Sequence, residues 1–230
     1  MNISIVIPTY EMHRYGVGYL DRLLESILNQ SSIPYEVIIS DHSINEEVDT
    51  YVANLNGIIS HPVKYFRNEN GRGSSSANLN NAIRLAEGDV IKPMFQDDFF
   101  YSMEALLLLD AWFEDGASWV ACGNNMFKRD RGYYDPLIPS WNNDMILGKN
   151  TLSSPSCMAY LNNGMLWDER LLWMMDCEFY QRLYERYGEP TIEEEILVTN
   201  RAHDKQLTNL LSDERKAWEV SLMKKEHGRD

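Results

Sequence analysis

The feature that most limits the folds open to this chain is an alternation, through residue 115, of short β-rich runs with amphipathic stretches. Ile3–Ile7 is a strand, after which Leu20, Leu23, Leu24, Ile27 and Leu28 recur at helical spacing. Glu36–Ser40 reads as a second strand ending in Asp41, and Val63–Phe66 as a third. Leu79, Ala82, Ile83 and Ala86 form the inner face of the next helix, with Gly88 as its C′ residue, and Asp89–Phe95 is a fourth strand. Ala105, Leu108, Leu109 and Trp112 mark another helix. Strands alternating with helices need crossover connections, which give a largely parallel sheet covered by helices.

The second half is less regular. Residues 116–127 predict a strand, and 130–156, rich in Gly, Pro, Asn and Trp, reads as loop-dominated. A helix is expected over Asp176–Tyr187, with Phe179, Tyr180, Leu183, Tyr184 and Tyr187 on one side. Ile192–Thr199 is a late strand, and Ser212 before Asp213 and Glu214 starts a terminal helix. That helix, with Trp218, Val220 and Leu222, suits packing in cis or on a second subunit, so the oligomeric state stays open.

A chain of 230 residues, 44% hydrophobic, can bury one sizeable core. No apolar run approaches the roughly 18–20 residues of a transmembrane segment. The opening residues show neither a basic n-region nor a cleavage site, so no signal peptide is expected. Cys122, Cys157 and Cys177 are scattered, without a CxxC pair, as reduced thiols of a cytoplasmic protein would be. A net charge of −14 argues against nucleic acid and anionic membrane as partners. A nucleotide diphosphate entering so acidic a protein needs a local cation, and the many carboxylates point to a metal.

Ligands of open α/β sheets bind beyond the carboxyl ends of the strands. There the first strand ends in Pro8-Thr9-Tyr10-Glu11, the second in Asp41-His42-Ser43 and the fourth in Gln96-Asp97-Asp98. Turn or cap roles fit Thr9 and Asp41 equally well. Asp97 and Asp98 are adjacent acids after a buried-looking strand and repel each other unless a cation sits between them. Magnesium and manganese take one or two carboxylates plus substrate phosphates. Asn68–Ser76 is a Gly/Ser loop entering a helix, either a plain connection or, with Arg72, an anion site. Asp176 beside an apolar, aromatic wall is a helix-start acid or a general base of raised pKa, with Glu178 as competitor. His203 is a surface histidine or a neutral metal ligand. Trp141, Trp167 and Trp173 are packing residues or ligand-stacking ones, and the last, three residues from Asp176, is the one expected to stack on a ligand.

Taken in order, these segments resemble the inverting glycosyltransferase family 2. The resemblance rests on Ile5-Val6-Ile7-Pro8-Thr9-Tyr10, Tyr35–Asp41, Ala77–Asp89, Phe95-Gln96-Asp97-Asp98, Met175–Phe179 with Arg182-Leu183, and His203-Asp204-Lys205-Gln206-Leu207-Thr208. It implies a GT-A, Rossmann-like nucleotide-binding α/β domain with a mainly parallel mixed central sheet flanked by helices. That domain would span 1–211, with a nucleotide-sugar half at 1–115, an acceptor half at 116–211 and a C-terminal helix at 212–230. The implied activity is a hexosyltransferase-like, inverting transfer from a nucleotide-diphosphate sugar, UDP-sugar favoured, in glycan or polysaccharide biosynthesis. The acceptor hydroxyl would belong to a glycan, a lipid-linked sugar or a protein.

The resemblance also implies site roles. Asp176 is the catalytic base; Pro8, Thr9, Tyr10, Glu11, Asp41, Asn78, Gln96 and Asp97 hold the donor; and Asp97, Asp98 and His203 hold Mn2+ or Mg2+. The chain departs from the family pattern at Glu11 in place of Asn, at Asn78 where Arg is common, at the missing Gly after Asp41-His42, and at Gln96 in place of the first acid of a DXD motif. The alternatives are a non-catalytic GT-A-like binding or scaffold protein and a sugar-nucleotide pyrophosphorylase. The latter fits less well, because no Gly-rich basic loop follows the first strand.

Overall fold

The computed structural model describes every residue except Ser60, Pro62, Lys205, Arg229 and Asp230, and all described side chains except those of Thr208 and Asn209. Alternating strands and helices form as their periodicity requires. They are β1 (Ile3–Thr9), α1 (Gly16–Leu28), β2 (Glu36–Asp41), α2 (Glu47–Asn56), β3 (Lys64–Arg67), α3 (Ser75–Leu85) and β4 (Val90–Pro93). The chain continues through β5 (Phe99–Phe100), α4 (Ala105–Glu114), β6 (Trp119–Lys128), β7 (Gly132–Leu137) and β8 (Met158–Leu161). It ends with α5 (Met175–Tyr187), β9 (Thr191–Arg201), α6 (Leu207–Leu210) and α7 (Asp213–Glu226).

The strands make one mixed sheet in the order β3-β2-β1-β4-β8-β6-β9-β5, with β7 paired to β6. The β3-β2-β1-β4 portion is parallel, and its order reverses between β1 and β4. Chains leaving these two neighbours diverge to opposite faces, which opens a crevice at their carboxyl ends. Beyond β4 the pairings with β8, and of β8 with β6, are antiparallel, while β6 and β9 run parallel.

Alternation along β1 feeds two cores. Ile3, Ile5 and Ile7 pack against Leu20, Leu23, Leu24 and Ile27 of α1, Val48 and Val52 of α2, and Phe113 of α4. Val6 faces the other layer, with Leu79, Ala82 and Ile83 of α3, Phe179, Tyr180 and Leu183 of α5, and Met223 of α7. Each such side chain is worth about 1.5–3 kcal/mol when fully buried. Ser212 caps α7 as its sequence predicts, its hydroxyl accepting from Arg215 N at 3.2 Å.

The 130–156 region is loop-dominated but contains β7, a hairpin partner of β6 whose turn reaches Gly132 at φ +79°. Its Asp135 and Pro136 hide the strand signal, and Pro is tolerated because β7 is a sheet edge. The β8 strand also escaped the periodicity, being only four residues long. Other expectations are corrected. The fourth strand stops at Pro93, since the chain then turns with Asp98 N donating to Phe95 O at 3.0 Å. Leu28 faces solvent. Gly88 is not a left-handed C′ residue; α3 is closed by Ala86 in extended conformation. Gly88 is required for close approach instead, since a Cβ there would stand 2.4 Å from Ser4 Oγ and 2.7 Å from Asn2 O.

That contrast is testable by thermal melting. Gly88→Ala must push backbone apart and is expected to cost about 2 kcal/mol, lowering Tm by about 4–8 °C. Gly18→Ala, on the exposed side of α1 with nothing within 4 Å of the added methyl, is expected to stabilise by roughly 0.5–1 kcal/mol.

Candidate active site

The crevice between β1 and β4 opens into a cavity of about 670 Å³. Of the residues assigned from sequence, Pro8, Thr9, Tyr10, Glu11, Asn78, Gln96, Asp97, Asp98, Asp176 and His203 all line it. Residues from distant parts of the chain therefore meet in one space.

On its floor the Asp97 carboxylate lies 2.9 Å from His203 Nε2, carried just past the end of β9. Asp98 is turned inward. It accepts from Ser154 Oγ at 3.2 Å and Arg201 N at 3.2 Å, and only 5% of it is exposed. Removal from water, and secondly the charge of Asp97, push the Asp98 carboxyl up to about 7. Arg201 steadies the pair: its Nε donates to Asp97 O at 3.1 Å while its guanidinium lies over Tyr19, Phe99 and Phe127. Among the described residues no three His, Cys, Asp or Glu side chains form a closed metal cage. An oxygen-seeking dication that keeps substrate phosphates as ligands needs no such cage. A carboxylate beside an imidazole, with a second, buried acid behind it, is a donor set that fits Mn2+ or Mg2+. Lys205, and the side chain of Thr208 in the His203–Thr208 element, lie outside the described residues.

Asp176 sits in the first turn of α5, where Asn150 Nδ2 donates to Oδ2 and Cys177 N to Oδ1, both at 2.7 Å. Burial outweighs these bonds and pushes its carboxyl up to about 6. Its competitor Glu178 does not line the cavity; it is buried in a two-point ion pair with Arg182. Trp173 stands on the cavity wall beside Asp176. Trp167 instead stacks on Phe179 at 4.1 Å and Trp141 on Tyr184 at 4.4 Å, both as packing.

Asp41 does not reach the cavity. It is fully buried, its Oδ1 accepting from Ser43 N and Oγ and from Thr9 Oγ1, its Oδ2 from Tyr65 OH at 2.7 Å, with Arg67 at 3.5 Å. These contacts brace the end of β2. Asn78 and Gln96 line the cavity but spend their amides on the backbone. Asn78 Nδ2 donates to Thr9 O at 2.9 Å, and Gln96 Nε2 donates to Tyr10 O and Gly16 O. Past β1, Met12, His13 and Arg14 all have positive φ, a strained turn of the kind stored at binding sites. The Gly/Ser loop reaches the cavity through Arg72, Gly73, Ser74 and Ser75, so the anion-site reading gains a location.

Sequence reading missed the segment 150–156. Asn150 holds Asp176, Ser154 reaches Asp98, and Ser156 Oγ accepts Phe95 N at 2.8 Å. The signal that could have found it is Lys92, a charge inside an apolar strand. Lys92 is fully buried and donates to Ser156 O, and burial lowers its pKa.

Known proteins share this fold. The family model for glycosyl transferase family 2 matches residues 4–187. An uncharacterized glycosyltransferase of Rickettsia typhi is 25% identical over 238 residues, covering 95% of this chain and 69% of the relative. The Escherichia coli chondroitin synthase is 34% identical over 113 residues, 49% of this chain and 16% of that protein. Staphylococcus aureus TarS residues 1–349 in complex with UDP-GlcNAc superposes with a TM-score of 0.73 at 17% identity, over 97% of this chain and 66% of that one. The Pyrobaculum calidifontis mannosyltransferase PcManGT, in complex with GDP-Man and Mn2+, gives 0.70 at 15% identity, over all of this chain and 64% of that one. This chain therefore spans only part of these relatives, and among its described residues no helix is long and apolar enough to cross a membrane. With the fold of GT-A glycosyltransferases and a family match across most of its length, the chain belongs to glycosyl transferase family 2.

Proposed function

We propose that this protein transfers a hexose-like sugar from a nucleotide-diphosphate donor, UDP-sugar favoured, to an acceptor hydroxyl, with inversion and with a divalent metal. The observation that carries the reading is that the Asp97–His203 pair and the base candidate Asp176 line one cavity at the strand ends. On this reading residues 1–115 supply the donor half, 116–211 the acceptor half and 212–230 the terminal helix. The acceptor is a glycan, a lipid-linked sugar or a protein, in glycan or polysaccharide biosynthesis. Three buried free thiols agree with a cytoplasmic location.

Asp97 and His203, backed by Asp98, would hold the metal, which when bound stabilises negative charge on the diphosphate. Tyr10, Glu11 and Met12 wall the nucleoside end on the β1 side. Asp176 takes the proton of the acceptor hydroxyl as that oxygen bonds to the anomeric carbon. The carbon–phosphate oxygen bond breaks on the opposite side, and the nucleoside diphosphate leaves with the electron pair. Burial suits Asp176 to this task, because a base with a pKa of about 6 is ionised at neutral pH yet basic enough to accept a proton.

Calorimetric titration with UDP, GDP and their sugars, in manganese and in EDTA, is expected to show one nucleotide bound only with metal. Binding equally strong in EDTA would refute metal dependence, and no binding by folded protein would favour the scaffold alternative. Asp97→Asn is expected to weaken the manganese-dependent binding by at least about tenfold.

Asp176→Asn is expected to cost roughly 10²–10⁴-fold in turnover while leaving nucleotide affinity intact. Wild-type turnover should fall about tenfold per pH unit below about 6, and a rate flat between pH 5 and 7 would remove Asp176 from the base role. The same shift has a stability consequence. A folded pKa above the unfolded value means that the ionised carboxylate destabilises the fold, by an amount that grows from about pH 4 and is complete above about 6. In EDTA, Asp176→Asn should therefore melt higher than wild type at pH 8, by on the order of 1–2 kcal/mol, with the gain gone at pH 4.

A further inference from the structure

The wall that bears Trp173 is a stretch of irregular backbone, residues 171–174, between the core and the start of α5. Backbone amides in such a stretch need acceptors when water cannot reach them. Here three consecutive N–H groups converge on one carboxylate from the far end of the chain. Leu172 N donates to Glu219 Oε1 at 3.1 Å, and Trp173 N and Met174 N both donate to Oε2 at 2.8 Å. Arg215 Nε adds a fourth bond at 2.6 Å, and Glu219 is fully buried within α7.

A buried carboxylate is strongly destabilising unless paired and hydrogen-bonded, so four charge-assisted donors on one group mark a built junction. The junction sits where orientation matters. Leu172 and Trp173 line the cavity, and Met174 is the N-cap residue of α5, with no side-chain cap of its own. Asp176 follows two residues later. The direction in which the first turn of α5 presents Asp176 is thus set by α7, an element that contributes no side chain to the cavity lining.

We propose that Glu219 is a positioning residue for the acceptor side of the site, holding Trp173 and the start of α5 so that Asp176 faces the acceptor. This rests on the transferase reading above. It assigns the terminal helix a part in turnover that its sequence, an alternation of acids and bases, does not announce.

The test uses the full chain with Glu219→Gln and Glu219→Asp. The amide replaces one accepting oxygen with a donor that opposes the backbone N–H groups, whereas aspartate keeps the charge at shorter reach. UDP with manganese is titrated into each protein, and hydrolysis of UDP-glucose and UDP-N-acetylglucosamine is followed with water as acceptor. For Glu219→Gln the expected result is nucleotide Kd and donor KM within about twofold of wild type and kcat lowered about tenfold or more, with Glu219→Asp recovering part of the loss. Amide exchange should speed up at Leu172, Trp173 and Met174 but not in β1 or β4. Unchanged kcat in Glu219→Gln would overturn the proposal, and so would parallel loss of nucleotide binding, kcat and melting temperature in both variants. If Glu219→Gln does not fold, Glu219→Asp decides: lowered kcat with retained nucleotide binding supports the proposal, and wild-type kcat overturns it. A folded wild-type protein that binds neither UDP nor GDP with manganese and hydrolyses none of their glucose, mannose and N-acetylglucosamine sugars would sink the transferase reading itself.

Discussion

The geometry of the site depends on one side-chain amide. Gln96 reaches from the turn after β4 to the loop after β1, its Nε2 donating to Tyr10 O at 3.0 Å and Gly16 O at 2.8 Å while its Oε1 accepts Tyr10 N at 3.0 Å. The reciprocal pair with Tyr10 continues the β1–β4 ladder by one side-chain rung, just where the two chains part. Gly16 is bound to the same point, because a Cβ there would lie 2.4 Å from Tyr10 O and 2.9 Å from Gln96 Nε2. This explains the missing first acid of the Gln96-Asp97-Asp98 segment. A carboxylate could accept from Tyr10 N but would repel the two carbonyls, so at this position the amide fits and the acid does not. The two acids that follow are thereby held at the cavity floor.

Around this clamp, the acids at the cavity are held by backbone N–H groups and neutral side chains rather than by lysine and arginine side chains. Asp176 is held by Asn150 and the Cys177 amide, and Asp98 by Ser154 and the Arg201 amide. Dipolar donors orient a carboxylate while leaving it less neutralised than a full cation would. Where burial still outweighs the donors, as at Asp98 and Asp176, the proton affinity rises. Glu178 shows the opposite case: paired with Arg182, it is removed from the site's chemistry. In a protein of net charge −14 this contrast separates acids of raised proton affinity from one fixed in an ion pair.

Much of the fold was legible because periodicity is a local property. The spacing of Leu20, Leu23, Leu24 and Ile27 and the apolar run Ile3–Ile7 each specify an element and its buried face, and the sheet follows from their alternation. Gly88 was legible as special but for the wrong reason, since a glycine needed for close approach and one needed for positive φ look alike in sequence. The strand β7 was missed because Asp135 and Pro136 break its pattern, and β8 because it is four residues long and its partners β4 and β6 lie far away in the chain.

The sequence by itself determined the α/β class, the strand ends that carry the polar residues, and the set of acids from which the site is drawn. It did so because strand order places carboxyl-end residues on one edge whatever the details of packing. Tertiary structure alone decided how each acid is used. Asp41 is tied to Ser43 and Tyr65 and Glu178 to Arg182, Asp97 meets His203, and Asp176 stays open to the cavity while fixed by Asn150. The reason is physical: whether a carboxylate is a brace, a ligand or a base depends on its hydration and on the donors around it. For Asp176 and Asp97 the deciding partners, Asn150 and His203, come from 26 and 106 residues away in the chain.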